Sequence, residues 1–166
     1  MMGSAAQRLI RLYGVRPGKR AVVATDDGNG YGVALDLSEN GVEVAAIVDL
    51  RNDPPDCPLS LAVRAAGIPI FSGHAIVEAT AKAGNRHVTG VTVAQGQGLH
   101  PDGGPAHRLD CDLVCMSGGY VPTAALLRQA GADIAYDEEI STFVVQPFDS
   151  PIHAAGAVNG ICGLEA

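Results

Sequence analysis

The chain has 166 residues, of which 47% are apolar and 4% aromatic, and its formal net charge is -7. That length fits one domain of ordinary size, and the scarcity of aromatic residues suits thin helices packed on a parallel sheet. The chain has two lysines, Lys19 and Lys82, and no run of basic residues. A phosphate backbone would find little positive charge to pair with, so we expect no nucleic-acid partner.

The sequence also argues against export and membrane insertion. Arg8 and Arg11 interrupt the N-terminal segment before the apolar core of a signal peptide could form. No later apolar run reaches membrane-spanning length. The four cysteines contain no C-x-x-C pair, which argues against a redox dithiol or a zinc ribbon and suits reduced thiols. They are Cys57, Cys111, Cys115 and Cys162. We therefore expect a soluble, cytoplasmic protein with no membrane partner.

The order of apolar runs and turns predicts an α/β fold. In chain order, the predicted elements are a helix or tail over 1–13, strand 21–24, helix 28–40, strand 44–48, helix 59–66, strand 68–71, antiparallel strands 88–94 and 106–109, strand 111–116 and helix 122–129. The first strand, helix and strand occupy fewer than thirty residues and so form a right-handed parallel unit. The antiparallel pair, around a loop at 95–105, is a meander inserted between parallel strands.

Five stretches of the sequence together resemble one protein family. They are YGVRPGKRAVVATDD, ALDLSENGVEVAAIVDLR, RAAGIPIFSGHAI, DLVCMSGGYVP and HAAGAVNG, spread over residues 13–160. In this order they are similar to the alpha subunit of heterotetrameric sarcosine oxidases and their relatives among amine and opine oxidases. The element order resembles the pyridine-nucleotide domain of two-dinucleotide flavoproteins. The fold implied is a Rossmann-like three-layer α/β structure with a parallel sheet and an inserted antiparallel β-meander.

The resemblance implies that this chain is one module of a larger flavoprotein. A full subunit would have an FAD-binding part on both sides of this module and a folate-binding domain further on. Residues 1–140 would form an NAD-binding domain, and residues 141–166 would begin the return into the FAD-binding domain. Other subunits of a hetero-oligomeric oxidase are the implied partners. NAD would be held tightly in a structural role, while a secondary amine such as sarcosine is oxidised at a flavin elsewhere.

The turn after the first strand departs from the glycine pattern of a dinucleotide site. The three glycine positions fall at Thr25, Asp27 and Gly30, so glycine stands at the third position alone. A carboxylate about 4 Å from a phosphate is repelled by several kcal/mol at an effective dielectric of about 20, so Asp27 would have to point away from a bound dinucleotide. Asp27 or Asn29 could instead cap the helix. The candidate phosphate-contact residues are Thr25, Asp26, Asp27, Gly28, Asn29 and Gly30.

Two further strand ends supply candidate cofactor residues. Asp49 ends the second strand about twenty residues after the turn, where an acid would accept hydrogen bonds from the adenosine ribose. Arg51 could meet a 2′-phosphate, but Asp49 would repel that group, so NAD is favoured over NADP. Ser117, Gly118 and Gly119 follow a later strand and, by the resemblance, face the nucleotide. In HAAGAVNG, similar to a segment that approaches the flavin, Ala157 stands where many flavoproteins have an acid.

Three other interpretations bear on the function. The five histidines have no ligand spacing, so we expect no metal site. The pair Asp26 and Asp27 could hold magnesium in a phosphoacceptor domain, but the later strand ends at Ser117 instead of an acceptor aspartate. The stronger alternative is a Rossmann-like scaffold or subunit-interface domain that has lost its nucleotide. Catalysis by this chain alone is not expected.

Overall fold

The computed structural model describes residues 1–54, 56–82, 84, 87–96, 105–138, 142–149 and 151–159. The chain divides into two compact units, Met1–Gly119 and Tyr120–Ala166. The elements of the first unit are α1 (Gly3–Tyr13), β1 (Arg20–Thr25), α2 (Asn29–Glu39), β2 (Glu43–Asp49), α3 (Pro58–Ala65), β3 (Ile70–Ser72), β4 (His74–Ala81), β5 (Val88–Gln95), β6 (His107–Asp110) and β7 (Leu113–Ser117). Those of the second are α4 (Ala125–Gln129), β8 (Ile134–Asp137), β9 (Thr142–Val145) and a 3₁₀ turn at Gly156–Asn159.

A four-stranded parallel sheet in the order β3-β2-β1-β7 forms the centre of the first unit. From β1 the chain proceeds to β2 and β3 on one side, and β7 then pairs with the other side of β1. The strand order therefore reverses between β1 and β7, which makes this gap the topological switch point of the sheet. Thr25 is in register with Asp49 on one side and with Ser117 on the other. Three predicted site residues thus share the carboxyl edge of the sheet.

Each face of the parallel sheet is covered by a different layer. Alternate side chains of β1 point to opposite faces, and Val23 packs into a core that includes residues of α1, α2 and α3. Val22 lies in a second core with Val91 and Val93 of β5. These strand residues are fully buried. The arrangement confirms the predicted Rossmann-like three-layer α/β fold, with helices on one face and an antiparallel β-meander on the other.

The meander has three strands, in the order β4-β5-β6, where the sequence pattern indicated two. The pairing of β4 with β5 shifts register between Ile76 and Glu78. Such a bulge breaks the period-two alternation that identifies a strand in a sequence. The additional strand was missed for that reason. The predicted loop at 95–105 lies largely outside the described residues.

The second unit contains an antiparallel hairpin of β8 and β9. Across it the rings of Tyr136 and Phe143 meet edge to face, with their centroids 5.3 Å apart. The helix predicted over 122–129 begins at Ala125. The predicted domain boundary at residue 140 falls between the two strands of this hairpin, and it stays a prediction about the organisation of a longer protein.

Three cysteines lie in the part of the chain that the structure describes, and all are free thiols. Cys111 and Cys115 are buried and Cys57 is half-buried. Burial raises the pKa of Cys115 to about 11. Cys162 lies outside the described residues. Among the helices described, none is both long and apolar enough to cross a membrane.

Candidate functional site

Thr25 and Gly30 bring the turn after β1 close against the first turn of α2. Thr25 ends β1 and is 1% exposed. A Cβ at Gly30 would lie 2.4 Å from the Thr25 Cβ, which is closer than two non-bonded carbon atoms can approach. Glycine at this third position therefore allows the helix to pack against the strand, the role that the third glycine has in a Rossmann turn.

The carboxylate of Asp27 turns back onto the beginning of α2. Its Oδ1 accepts a hydrogen bond from the backbone N–H of Asn29 at 2.9 Å, and its Oδ2 accepts one from the side-chain amide of Asn29 at 2.6 Å. The hydroxyls of Thr25 and Ser117 lie 3.1 Å and 3.4 Å from Oδ1. The N-cap of α2 is Gly28, which makes no side-chain cap hydrogen bond, so Asp27 is the residue before the cap. Its carboxylate accepts the N–H of the first helical residue and interacts favourably with the positive end of the helix dipole.

The other turn residues leave the backbone at the switch point accessible. Among the described residues, no atom lies within 4 Å of a Cβ placed on Gly28 or on Gly118. Gly119 has a φ of +73°, a left-handed conformation that favours glycine. Asp26 is exposed, and its backbone N–H donates to the carbonyl of Ser117 at 3.3 Å. A dinucleotide phosphate could approach the backbone on both sides of the switch point, but the Asp27 carboxylate lies between.

Asp49 lies at the end of β2 with no exposed surface. Its Oδ2 accepts hydrogen bonds from the Tyr31 hydroxyl at 2.8 Å and from Arg51 Nη2 at 2.7 Å. Its Oδ1 accepts from the backbone N–H and from Nε of Arg51 at 2.9 Å and 3.0 Å. A carboxylate has about four acceptor positions, so the protein itself fills those of Asp49. The ribose contact expected of Asp49 stays a prediction that requires one of these bonds to open.

The electrostatics of this cluster follow from its burial and its bonds. Burial alone would raise the pKa of Asp49, but the hydrogen bonds from Arg51 and Tyr31 outweigh it, so the pKa lies below its ordinary value. Burial and the hydrogen bond to Asp49 raise the pKa of Tyr31 to about 12. The hydrogen bond to Asp49 likewise raises the pKa of Arg51. At neutral pH the cluster is an ion pair between a fully buried carboxylate and a partly exposed guanidinium, with a neutral phenol beside it.

Tyr31 is the member of this cluster that the sequence analysis did not find. It lies on the buried face of α2 and is 1% exposed. A buried tyrosine hydroxyl usually needs a hydrogen-bond partner. A tyrosine on the mainly apolar buried face of α2 was therefore the available signal, but a sequence does not show which polar group the hydroxyl reaches.

A cavity of about 860 Å³ lies between the parallel sheet and the meander. Its lining is mainly apolar, with Val48, Ile76, Val91 and Val114 among the contributing residues. The lining also includes Ala24, Leu50 and Met116, which directly precede or follow site residues on β1, β2 and β7. Apolar surface therefore lies next to the carboxyl edge of the sheet.

The grouping of the described histidines bears on metal binding, because histidine is a common metal ligand. His74 and His107 lie near the ring of Phe71, with ring centroids 5.4 Å and 5.5 Å from it. In the described ranges no three His, Cys, Asp or Glu side chains are grouped so that they could hold a metal ion. His100 lies outside those ranges.

Solved structures show the class of fold. The chain superposes on the thioredoxin reductase of T. acidophilum with a TM-score of 0.63 and 20% sequence identity, over 95% of this chain and 48% of that one. It superposes on the L-proline dehydrogenase of P. horikoshii with a TM-score of 0.55 and 15% identity, over 93% of this chain and 24% of that one. The fold is the Rossmann-like fold found in these oxidoreductases.

Sequence comparison gives a more specific likeness. The chain is 28% identical over 161 residues to the sarcosine oxidase subunit alpha of a Corynebacterium species, a match that covers 97% of this chain and 16% of that subunit. It is 26% identical over 166 residues to the same subunit of Rhizobium meliloti, covering 100% of this chain and 15% of that subunit. No protein-family model matches the chain. These matches confirm the resemblance to sarcosine oxidase alpha subunits, of which this chain spans about one sixth of the length.

Proposed function

We propose that this chain is the NAD-binding module of a flavin-dependent amine oxidase. The observation that supports it is the position of the turn after β1 at the topological switch point, beside Ser117 of β7. Open parallel sheets bind ligands in the crevice outside the carboxyl ends of their strands, where the strand order reverses. The described side chains that converge there are polar, and Gly28 and Gly118 leave the backbone accessible.

The residues suited to hold a dinucleotide lie on both sides of the switch point. The backbone around Gly28 and Gly118 would approach the phosphates. Arg51, 30% exposed, lies at the end where the adenosine ribose is bound in such folds. The Nε and Nη2 groups of Arg51 already donate hydrogen bonds to Asp49. Arg51 therefore cannot use both of these donors to bind a 2′-phosphate. That arrangement favours NAD over NADP.

The full activity belongs to a larger assembly in this proposal. The chain's likeness to a protein named as a subunit of sarcosine oxidase supports partner subunits and a secondary amine, sarcosine or a related compound, as substrate. FAD would be bound by the remaining parts of the longer protein and would oxidise the amine, with electrons passed to oxygen. This module would hold NAD in a structural role and would not be catalytic by itself. A cytoplasmic location is part of the same proposal.

Isothermal titration of the chain with NAD and NADP tests the proposal. Gly118→Leu adds a bulky side chain at the switch point where no described atom lies within 4 Å of the new Cβ. We expect saturable binding of NAD to the wild type and its loss in Gly118→Leu with an unchanged melting temperature. Ser38→Leu, an exposed position at the far end of α2, is the matched control and should bind as the wild type does. Equal binding by Gly118→Leu would place the nucleotide elsewhere.

A second candidate function is a scaffold or subunit-interface domain that binds no nucleotide. It is favoured by one observation: both carboxylates of the predicted site, Asp27 and Asp49, are already satisfied by protein groups. Absence of measurable heat with either nucleotide at millimolar concentration, for a folded chain, would favour this function.

A further inference from the structure

We propose that the Asp27 carboxylate is an autoinhibitory contact, which fills the phosphate position of the turn until a dinucleotide displaces it. This inference rests on the proposed function. Asp27 brings a negative charge to hydrogen-bond donors from three elements: the beginning of α2, the end of β1 and the end of β7. The N–H at the beginning of α2 is a donor that a phosphate bound at the switch point would use, since helix N-termini bind anions.

The carboxylate and a phosphate cannot occupy this position together. Asp27 Oδ2 lies 4.0 Å from the position that a Cβ of Gly119 would take, so the carboxylate lies between the two strand ends. A phosphate seated on the Asn29 N–H would lie against the carboxylate, and two negative charges at that separation repel strongly where water is partly excluded. Asp27 must therefore rotate away from the turn before a phosphate can bind.

The side chain of Asn29 stabilises the inhibited arrangement. Its side-chain amide donates to Oδ2 at 2.6 Å, and its backbone N–H donates to Oδ1 at 2.9 Å. Hydrogen bonds to a carboxylate are stronger than those between neutral groups. The free chain thus has a built-in competitor for its ligand, and the apparent affinity falls by the fraction of molecules in which Asp27 has turned away.

Removing the charge of Asp27 while keeping its hydrogen bond to the Asn29 N–H separates inhibition from folding. In Asp27→Asn the side-chain oxygen can still accept from the Asn29 N–H, so the first N–H of the helix keeps its partner. We expect its affinity for NAD to rise by about tenfold or more over the wild type, because a competent fraction of about one in ten already lowers the apparent affinity tenfold. Affinity for adenosine, which has no phosphate, should be unchanged.

Glu39→Gln is the matched control, since it removes one charge at the opposite end of α2, which is about 16 Å long at 1.5 Å per residue. Its affinity for NAD should change by less than about twofold, as expected for an exposed charge beyond the Debye length. An equal gain in Glu39→Gln would overturn the inference, because the effect would then reflect net charge alone. Asp27→Ser, which keeps a hydroxyl oxygen as an acceptor beside the helix N-terminus, replaces Asp27→Asn if that variant does not fold.

The titrations distinguish failure of this inference from failure of the proposed function. If the wild type binds NAD and the folded Asp27 variant binds it equally or more weakly, the autoinhibitory contact is refuted while the NAD site stands. If neither binds NAD at millimolar concentration, both proposals are refuted.

Discussion

Replacing Asp49 with asparagine tests whether this acid is a structural or a ligand-binding group. The substitution keeps the shape of the side chain and removes the charge that Arg51 pairs with at 2.7 Å. It also offers an amide N–H₂ where two donors, Tyr31 and Arg51, now point. The asparagine therefore cannot satisfy all of the groups that surround it.

The cost of Asp49→Asn can be worked from this geometry. Breaking a buried ion pair by removing one partner costs about 3–5 kcal/mol. Arg51 is 30% exposed and can recover part of its hydration, so we expect the lower end, a loss of about 3 kcal/mol of unfolding free energy. With a urea slope of about 2 kcal/mol/M, the unfolding midpoint would fall by about 1.5 M.

Urea unfolding at pH 7, followed by circular dichroism, measures this loss. Glu43→Gln is a suitable control because it removes a carboxylate from an exposed pair, Arg20–Glu43, whose side chains are 48% and 62% exposed. Such pairs contribute about 0–1 kcal/mol. A loss below about 1 kcal/mol in Asp49→Asn would refute the argument that the protein itself satisfies Asp49, and would leave the carboxylate available for a ribose.

Two further predictions concern α2. Folding raises the pKa of Tyr31 from 10.0 to about 12, because the folded protein favours the neutral phenol. This preference should contribute about 3 kcal/mol to the free energy of unfolding below pH 10, and the contribution is lost between pH 10 and pH 12. Tyr31→Phe should lack that part of the alkaline decline when unfolding is measured at pH 9 and pH 11, and an equal decline would contradict the prediction. Gly30→Ala places its Cβ 2.4 Å from the Thr25 Cβ and should lower the free energy of unfolding by about 1–3 kcal/mol. Gly28 has a φ of -72°, which alanine also adopts. Gly28→Ala should therefore leave the stability unchanged or raise it by up to about 1 kcal/mol. Similar melting temperatures for these two variants would refute the close approach of α2 to β1.

The layered fold could be predicted from the sequence because its signals are local. Apolar strands, a helix ended near Gly41 and short connections leave few topologies for parallel strands. The strand β4 could not be recognised in this way, since its bulge between Ile76 and Glu78 disrupts the alternation. The resemblance to sarcosine oxidase alpha subunits was also readable from the sequence, because five short stretches occur in the right order.

The sequence by itself determined which groups reach the carboxyl edge of the sheet. Strand length and turn position place Thr25, Asp49 and Ser117 side by side. Tertiary structure alone decided what those groups contact, because hydrogen-bond partners depend on side-chain directions that spacing does not encode. The pairing of Asp49 with Tyr31, eighteen positions away along the chain, is of this kind. The return of Asp27 onto its own helix is another, and it determines whether the site is open to a phosphate.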